Sequence, residues 1–290
     1  MQRVQTSTSM TASPVQHGAA IPALTRHEAK GMSAEELRRF TVLIESLSDA
    51  DWGQPTACTL WTVKDIVAHQ AAHVLSFTSL SSFLSQVSPA RTRPYTQKGM
   101  SFLDAMNQAQ VDLRISRSPV ELIAEIRDAS DRSLKGRDRI PGFLRAPVLP
   151  MPGLDQPRSL GYLFDIIYTR DMWMHRLDIC RAIGRAMPQD STHDRRTVAL
   201  IVRDLALKSK QGLQGRSAIL TLVGAAGGSY RIGSDAAPTT TIEMDALEFC
   251  VLTSGRDKAA DILAGAHATI SGDVEFGRAV VEFSENRVLF

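Results

Sequence analysis

The stretch SLGYLFDIIYTRDMWMHRLDICRAIG, residues Ser159–Gly184, is apolar on more than one side at helical spacing. Phe164, Ile167, Tyr168 and Met174 run along one stripe, and Ile166, Trp173 and Leu177 run along the other. A helix that is apolar all round is normally buried. The spacing therefore predicts a long interior helix from about Ser159 to Ile183, ended by Gly184 as a glycine C-cap. That helix also carries Asp171, His175 and Asp178, which at about 100° per residue fall within ~60° of one another. Burying two carboxylates costs several kcal/mol unless something answers their charge. A metal ion, or an ion-pair cluster with Arg170, Arg176 or Arg181, meets that requirement.

Upstream the chain reads as further helices. Ser33 with Glu36 forms a capping-box pattern ahead of Leu37, Phe40, Leu43, Ile44 and Leu47. Thr62 with Asp65 precedes a helix over Ile66–Leu84, and Ser101 with Asp104 precedes one over Ala105–Ile115. Ser118, Pro119 and Glu121 start a fourth through about Leu134. Pro141, Pro147, Pro150, Pro152 and Pro157 forbid a helix in the crossing that follows. A sixth helix runs from about Ser191 to Lys210. Long helices on short and medium connections predict a helix bundle.

From Ser217 the period changes. Ser217–Val223 and Ser229–Ile232 read as strands joined by the hairpin turn Gly224–Gly228. Thr239–Met244 and Ala268–Ile270 are further strands, with helices over Asp245–Leu252, Lys258–Leu263 and Asp273–Phe283. The expected organisation is a mobile tail over residues 1–30, a helical bundle over 31–212 and a small α+β domain over 213–290.

The chain has 290 residues with a net charge of +2 and 43% hydrophobic residues, ordinary for a globular protein. Near-neutral charge leaves no electrostatic footprint for nucleic acid or an anionic membrane, and no apolar run approaches the ~18 residues of a membrane span. Residues 1–28 lack the apolar centre of a signal peptide, so the expectation is a cytoplasmic protein, monomeric or homodimeric, acting on a small molecule. Cys58, Cys180 and Cys250 fit neither a disulfide framework nor a paired metal motif.

His69 and His73 lie at i and i+4, on one face of the second helix, with Asp65 one turn earlier. Two histidines on one helix and Asp171 with His175 on another can converge inside a bundle, where imidazole nitrogen and carboxylate oxygen suit Zn2+. Spacing alone leaves this open against a surface histidine pair and a structural ion-pair cluster.

The segment Thr56-Ala-Cys58-Thr-Leu-Trp61-Thr-Val-Lys-Asp65-Ile-Val-Ala-His69, led in by Leu47-Ser-Asp-Ala-Asp51-Trp52, resembles the N-terminal signature of the mycothiol-dependent maleylpyruvate isomerase family, a group of DinB-like four-helix bundles. Asp171-Met-Trp-Met-His175-Arg-Leu-Asp178 resembles that family's second motif, with Asp171 where the family pattern has Glu. The resemblance covers roughly Ser33–Gly184. Phe249–Arg256 and Ile270–Asp273 resemble, more weakly, the sterol-carrier-like domain often fused to such bundles.

The resemblance implies a mainly α fold and a divalent metal, usually Zn2+, on His69, Asp171 and His175. It also implies catalysis with a low-molecular-weight thiol such as mycothiol. His73 is then expected as a fourth ligand, a supporting partner or a general base, against a plain bundle histidine, and Asp178 as a supporting or arginine-paired group. Arg256 is expected either as a clamp for an anionic substrate group or as a structural residue that caps a helix or pairs near Asp257, and Cys58 as packing in front of Trp61. The implied reaction is isomerisation, or S-transfer, of a small electrophilic and carboxylated substrate. Two alternatives stand beside it. One is a metal-free isomerase or cyclase using the buried Asp and His residues as acid and base. The other is a non-catalytic binder of apolar ligands.

Overall fold

The computed structural model describes residues 14–86, 88–150 and 157–290. They divide into two compact units. The larger comprises residues 23–189, 253–256 and 286–290, and the smaller comprises 190–252 and 257–285 with the stretch up to Pro22. The strand β1 (Gln16–His17) belongs to the smaller unit, where it pairs in parallel with Tyr230 and Arg231.

The larger unit is a four-helix bundle of α1 (Arg26–Glu45), α2 (Val63–Ser76), α6 (Pro119–Arg139) and α9 (Tyr168–Ala182). Three short or flanking helices, α3 (Leu80–Gln86), α4 (Pro89–Thr96) and α5 (Phe102–Asp112), lie between α2 and α6. Beyond α6 come the single turn α7 (Gly142–Arg145), the two-residue strands β2 (Val148–Leu149) and β3 (Arg158–Ser159), and the turn α8 (Leu160–Tyr162). The core joins Phe40 and Ile44 of α1, Ile66 and Val67 of α2, Leu122 and Ile126 of α6, and Met172 and Ile179 of α9. No helix among the described residues is long and apolar enough to cross a membrane.

Local chemistry explains several boundaries. Thr62 and Ser118 cap α2 and α6 through reciprocal bonds with Asp65 and Glu121, as their spacing predicts. The first helix departs from expectation. It starts at Thr25, whose capping box is closed by Glu28. Ser33 and Glu36 therefore lie inside α1, and Glu36 is fully buried against Arg176 (Nε–Oε1 2.8 Å). From Gln16 onward the described residues before Lys30 form structure rather than a tail. The expected Ile66–Leu84 helix is two, because Thr78 bonds back to the Leu75 carbonyl and Ser79 accepts the Ser82 amide. In the proline-rich crossing Pro141 stands just before α7, where proline is tolerated, and Pro152 lies outside the described residues.

The expected Ser159–Ile183 helix is continuous but carries a π-turn at Leu163–Ile167, immediately before α9. Gly184 sits at φ +65° beyond its end, as a glycine C-cap requires.

The smaller unit is a five-stranded sheet in the order β1-β5-β4-β6-β7, with β4 Ser217–Val223, β5 Gly228–Gly233, β6 Thr240–Asp245 and β7 Ala268–Gly272. The β4–β5 hairpin is antiparallel, β6 runs parallel to β4, and β7 is antiparallel to β6. Helices α10 (His193–Gly212), α11 (Ala246–Thr253), α12 (Ala259–Ala264) and α13 (Val274–Ser284) accompany the sheet. Two assignments differ from the sequence reading. Helix α10, expected in the bundle, groups with the sheet because it packs on β5. Arg256, expected in the small domain, groups with the bundle.

Candidate metal centre

The Thr56–Trp61 segment is a tight loop that delivers the chain to α2. The Thr56 hydroxyl donates to the Trp61 carbonyl (2.8 Å) and accepts the Cys58 amide (3.2 Å). The Trp61 indole donates to Gln108 Oε1 at 3.0 Å and lays its ring 5.0 Å from His69 and 6.0 Å from His175. Thr62 then donates to Asp65 through its amide (2.9 Å) and its hydroxyl (2.7 Å). Asp65 is thus spent on the cap, and α2 starts at the register that turns His69 and His73 toward α9.

There the histidines meet Asp171. His69 Nε2 stands 3.4 Å and His73 Nδ1 3.1 Å from Asp171 Oδ2, and His175 Nε2 stands 3.4 Å from Oδ1. Gln70 donates to Oδ2 at 2.5 Å. One ligand atom each from His69, Asp171 and His175 lies within 4.8 Å of the others. The three residues that the family resemblance implies as ligands lie together, with His73 beside them.

The far sides of the two rings are occupied. His69 Nδ1 donates to Gln110 Oε1 at 3.0 Å, and His175 Nδ1 donates to Asp178 Oδ2 at 2.9 Å. Such bonds fix which nitrogen keeps its proton in the neutral ring and direct Nε2 to the centre as the ligand atom. His69 Nε2 and His73 Nδ1 are buried and make no hydrogen bond. Two orphaned nitrogens against a carboxylate that only accepts form a donor set that fits a divalent cation. Asp171 reaches this point although it is one methylene shorter than Glu.

The electrostatics agree with the geometry. Burial, aided by the neighbouring His73, pushes His69 down to about 3, so its ring is neutral near pH 7. Burial also disfavours charge on His175 and Asp171 and is the largest single influence on each, but their mutual attraction together with the hydrogen bonds around them outweighs it. His175 is held well above the ordinary imidazole value and Asp171 well below the usual carboxylate range. Burial raises Tyr168, beside His73, to about 12.

Asp178 is 1% exposed and bound from its other side by Arg256, Nε to Oδ1 at 2.6 Å and Nη2 to Oδ2 at 2.7 Å. The pair is bidentate, so Arg256 is committed to Asp178 and not held out as an anion clamp. Cys58 is closer to the polar centre than packing alone suggests. Its Sγ lies 3.8 Å from Asp178 Oδ2 and 3.9 Å from Arg256 Nη2, and with His175 and Asp178 it forms a second cluster of possible ligands. The sequence reading does not find Gln110 and Gln70. Gln110 comes from α5, and no local pattern marks it. Gln70 is signalled only by adjacency to His69.

The model of the family described as mycothiol maleylpyruvate isomerase N-terminal domain matches residues 33–180. Among solved structures, the chain resembles the crystal structures of the mycothiol-dependent maleylpyruvate isomerase and of a histidine-to-alanine mutant of it. Each comparison has a TM-score of 0.55 at 11% identity and covers 89% of this chain and 96% of the other. At that identity the likeness speaks for the shared DinB-like fold. No curated protein shows a significant sequence match. The matched segment spans both the Trp61–His69 loop-and-helix and the Asp171–Asp178 helix, and the chain belongs to the mycothiol maleylpyruvate isomerase N-terminal domain family.

Proposed function

We propose that this chain is a divalent-metal-dependent enzyme that uses a low-molecular-weight thiol of the mycothiol kind to isomerise, or transfer the thiol to, a small electrophile. The observation that carries the reading is the convergence of His69 Nε2, Asp171 and His175 Nε2, each imidazole fixed from behind by Gln110 or Asp178. A Zn2+ ion bound there supplies a Lewis-acid position that lowers the pKa of a thiol.

The protein's own groups do the rest. His175 and His69 are oriented by Asp178 and Gln110, and Arg256 positions them indirectly by holding Asp178. His73 is the free-standing imidazole at the edge of the centre, and Nε2, the nitrogen not turned to Asp171, takes the thiol proton. In isomerisation the thiolate sulfur bonds to an alkene carbon, the π pair of the double bond moves into the conjugated carbonyl as an enolate, and the remaining single bond rotates. Loss of the same sulfur then restores the alkene and returns the thiol. In transfer, a leaving group departs in place of the sulfur.

The test is elemental analysis of purified protein together with mycothiol-dependent turnover across a panel of small electrophiles. About one zinc per chain, lost in His175→Ala along with activity, is the expected result. A metal-free protein whose activity survives chelation overturns the proposal in favour of acid–base chemistry by Asp171 and its histidines.

A further inference from the structure

Beside the centre, the bundle unit contains a cleft of about 190 Å3 into which Asp171 and His73 open. Its walls are Phe83, Leu103, Met106, Leu163, Ile167 and Phe290, among other apolar side chains. The polar lining is His73, Asn107, Tyr168 and Asp171, and none of the described lining residues is an arginine or lysine. The nearby guanidinium groups are engaged elsewhere. Arg170 donates to the Leu289 carbonyl at 3.0 Å and faces the Phe290 ring, and Arg137 donates to Thr169 Oγ1 at 2.9 Å above the Phe77 ring. An apolar cavity of roughly 150 Å3 holds a benzene molecule, so this volume takes a substituted phenyl ring or a branched alkyl group of like size.

We infer that the electrophile this chain accepts carries one polar, reactive end and an uncharged aromatic or branched apolar body that fills this cleft. A dicarboxylate of the maleylpyruvate type is therefore a poor substrate. The inference rests on the function proposed above only for the reactive end. A cation at the centre meets one carboxylate, but a second at the far end is desolvated among Phe83, Met106 and Phe290 with no counter-charge. An apolar ring at the same place gains from burial.

The test compares 3-phenylpropionate with adipate as ligands of the zinc-loaded protein by calorimetry. The two share a carboxylate at one end and differ at the other. The phenyl compound is expected to bind at least about tenfold more tightly, because an unpaired buried carboxylate is disfavoured by more than that factor. Met106→Arg or Leu103→Arg, each checked for unchanged zinc content, places a cation in the wall and is expected to narrow or reverse the ratio. Equal or tighter binding of adipate by the wild type overturns the inference, as does a ratio untouched by both arginines. 4-Ethylphenol, which needs no metal, separates two failures. A ring bound by protein that takes up no zinc sinks the proposed function and leaves the cleft assignment standing. Intact zinc binding and thiol turnover with a preference for adipate sink the cleft assignment alone.

Discussion

His175 donates from Nδ1 to Asp178 across 2.9 Å, and the two sit one turn apart on α9. The bond turns Nε2 toward Asp171, while Arg256 closes on the opposite edge of the same carboxylate. A residue outside the proposed His69–Asp171–His175 set therefore sets the direction of one inside it. In Asp178→Asn the charge that steadies the imidazole disappears, and zinc affinity is expected to fall about 10–100-fold. Arg256 loses its counter-charge while one amide oxygen still accepts from it, which is expected to lower stability by up to about 3–5 kcal/mol. Chelator competition and urea unfolding of the metal-free protein measure the two effects. Unchanged zinc affinity contradicts the positioning role.

The same geometry sets a pH dependence. Without metal, Asp171 keeps His175 protonated to well above the ordinary value, and zinc must displace the Nε2 proton. His69, at about 3, has no proton to give up. Zinc affinity is expected to rise with pH at a slope near one proton per ion, then flatten once pH passes the folded value of His175. Stability of the metal-free protein behaves oppositely. A raised imidazole contributes fully below its unfolded value of about 6.5, and the contribution is lost as pH climbs through the folded value. The depressed Asp171 contributes above its unfolded value of about 4, a contribution lost as pH falls through its folded value. Zinc titrations and thermal melts at a series of pH values follow both trends.

Glu36 and Arg176 form a second buried ion pair, 0% and 3% exposed, which ties α1 to α9 away from the ligand atoms. Glu36→Ala removes the carboxylate that neutralises the buried guanidinium and is expected to cost about 3–5 kcal/mol. Replacing both, as Glu36→Leu with Arg176→Met, is expected to recover most of that loss, because two apolar groups need no partners. Zinc content is expected to survive in the double variant. A single variant that melts like the wild type contradicts the assignment.

The Glu36 position also shows where sequence reading stops. Capping boxes are local, and those at Thr62 and Ser118 are legible because residues three apart decide them. Ser33–Glu36 has the same spelling as Thr25–Glu28, and only the partner 140 positions away distinguishes a buried ion-pair residue from a cap. Helical spacing places His69, His73, Asp171 and His175 on their faces. It does not turn those faces toward each other, and the motif resemblance supplies that step. The π-turn at Leu163–Ile167 changes the hydrogen-bond register with no residue type that demands it. The Arg256–Asp178 pair joins positions 78 apart, and spacing is silent about it.

Helix α6 contains Gly136, where propensity alone favours alanine by about 1 kcal/mol. An added Cβ there falls 1.8 Å from the Phe77 carbonyl oxygen, at the end of α2. The neighbour is backbone, so relief requires the helices to separate. Overpacking of this kind costs about 1–3 kcal/mol or more, which outweighs the propensity gain. Gly136→Ala is therefore expected to lower the melting temperature. His73 lies one turn before Phe77, so the displacement reaches the centre and zinc affinity is expected to weaken with it. Gly31 in α1 is the control, because a Cβ there meets nothing within 4 Å. Gly31→Ala is expected to stabilise the protein by about 0.5–1 kcal/mol with zinc affinity unchanged. Melting curves and chelator titrations of the two variants side by side decide the matter. Similar behaviour of both removes the close approach of α2 and α6 as the reason for glycine at 136.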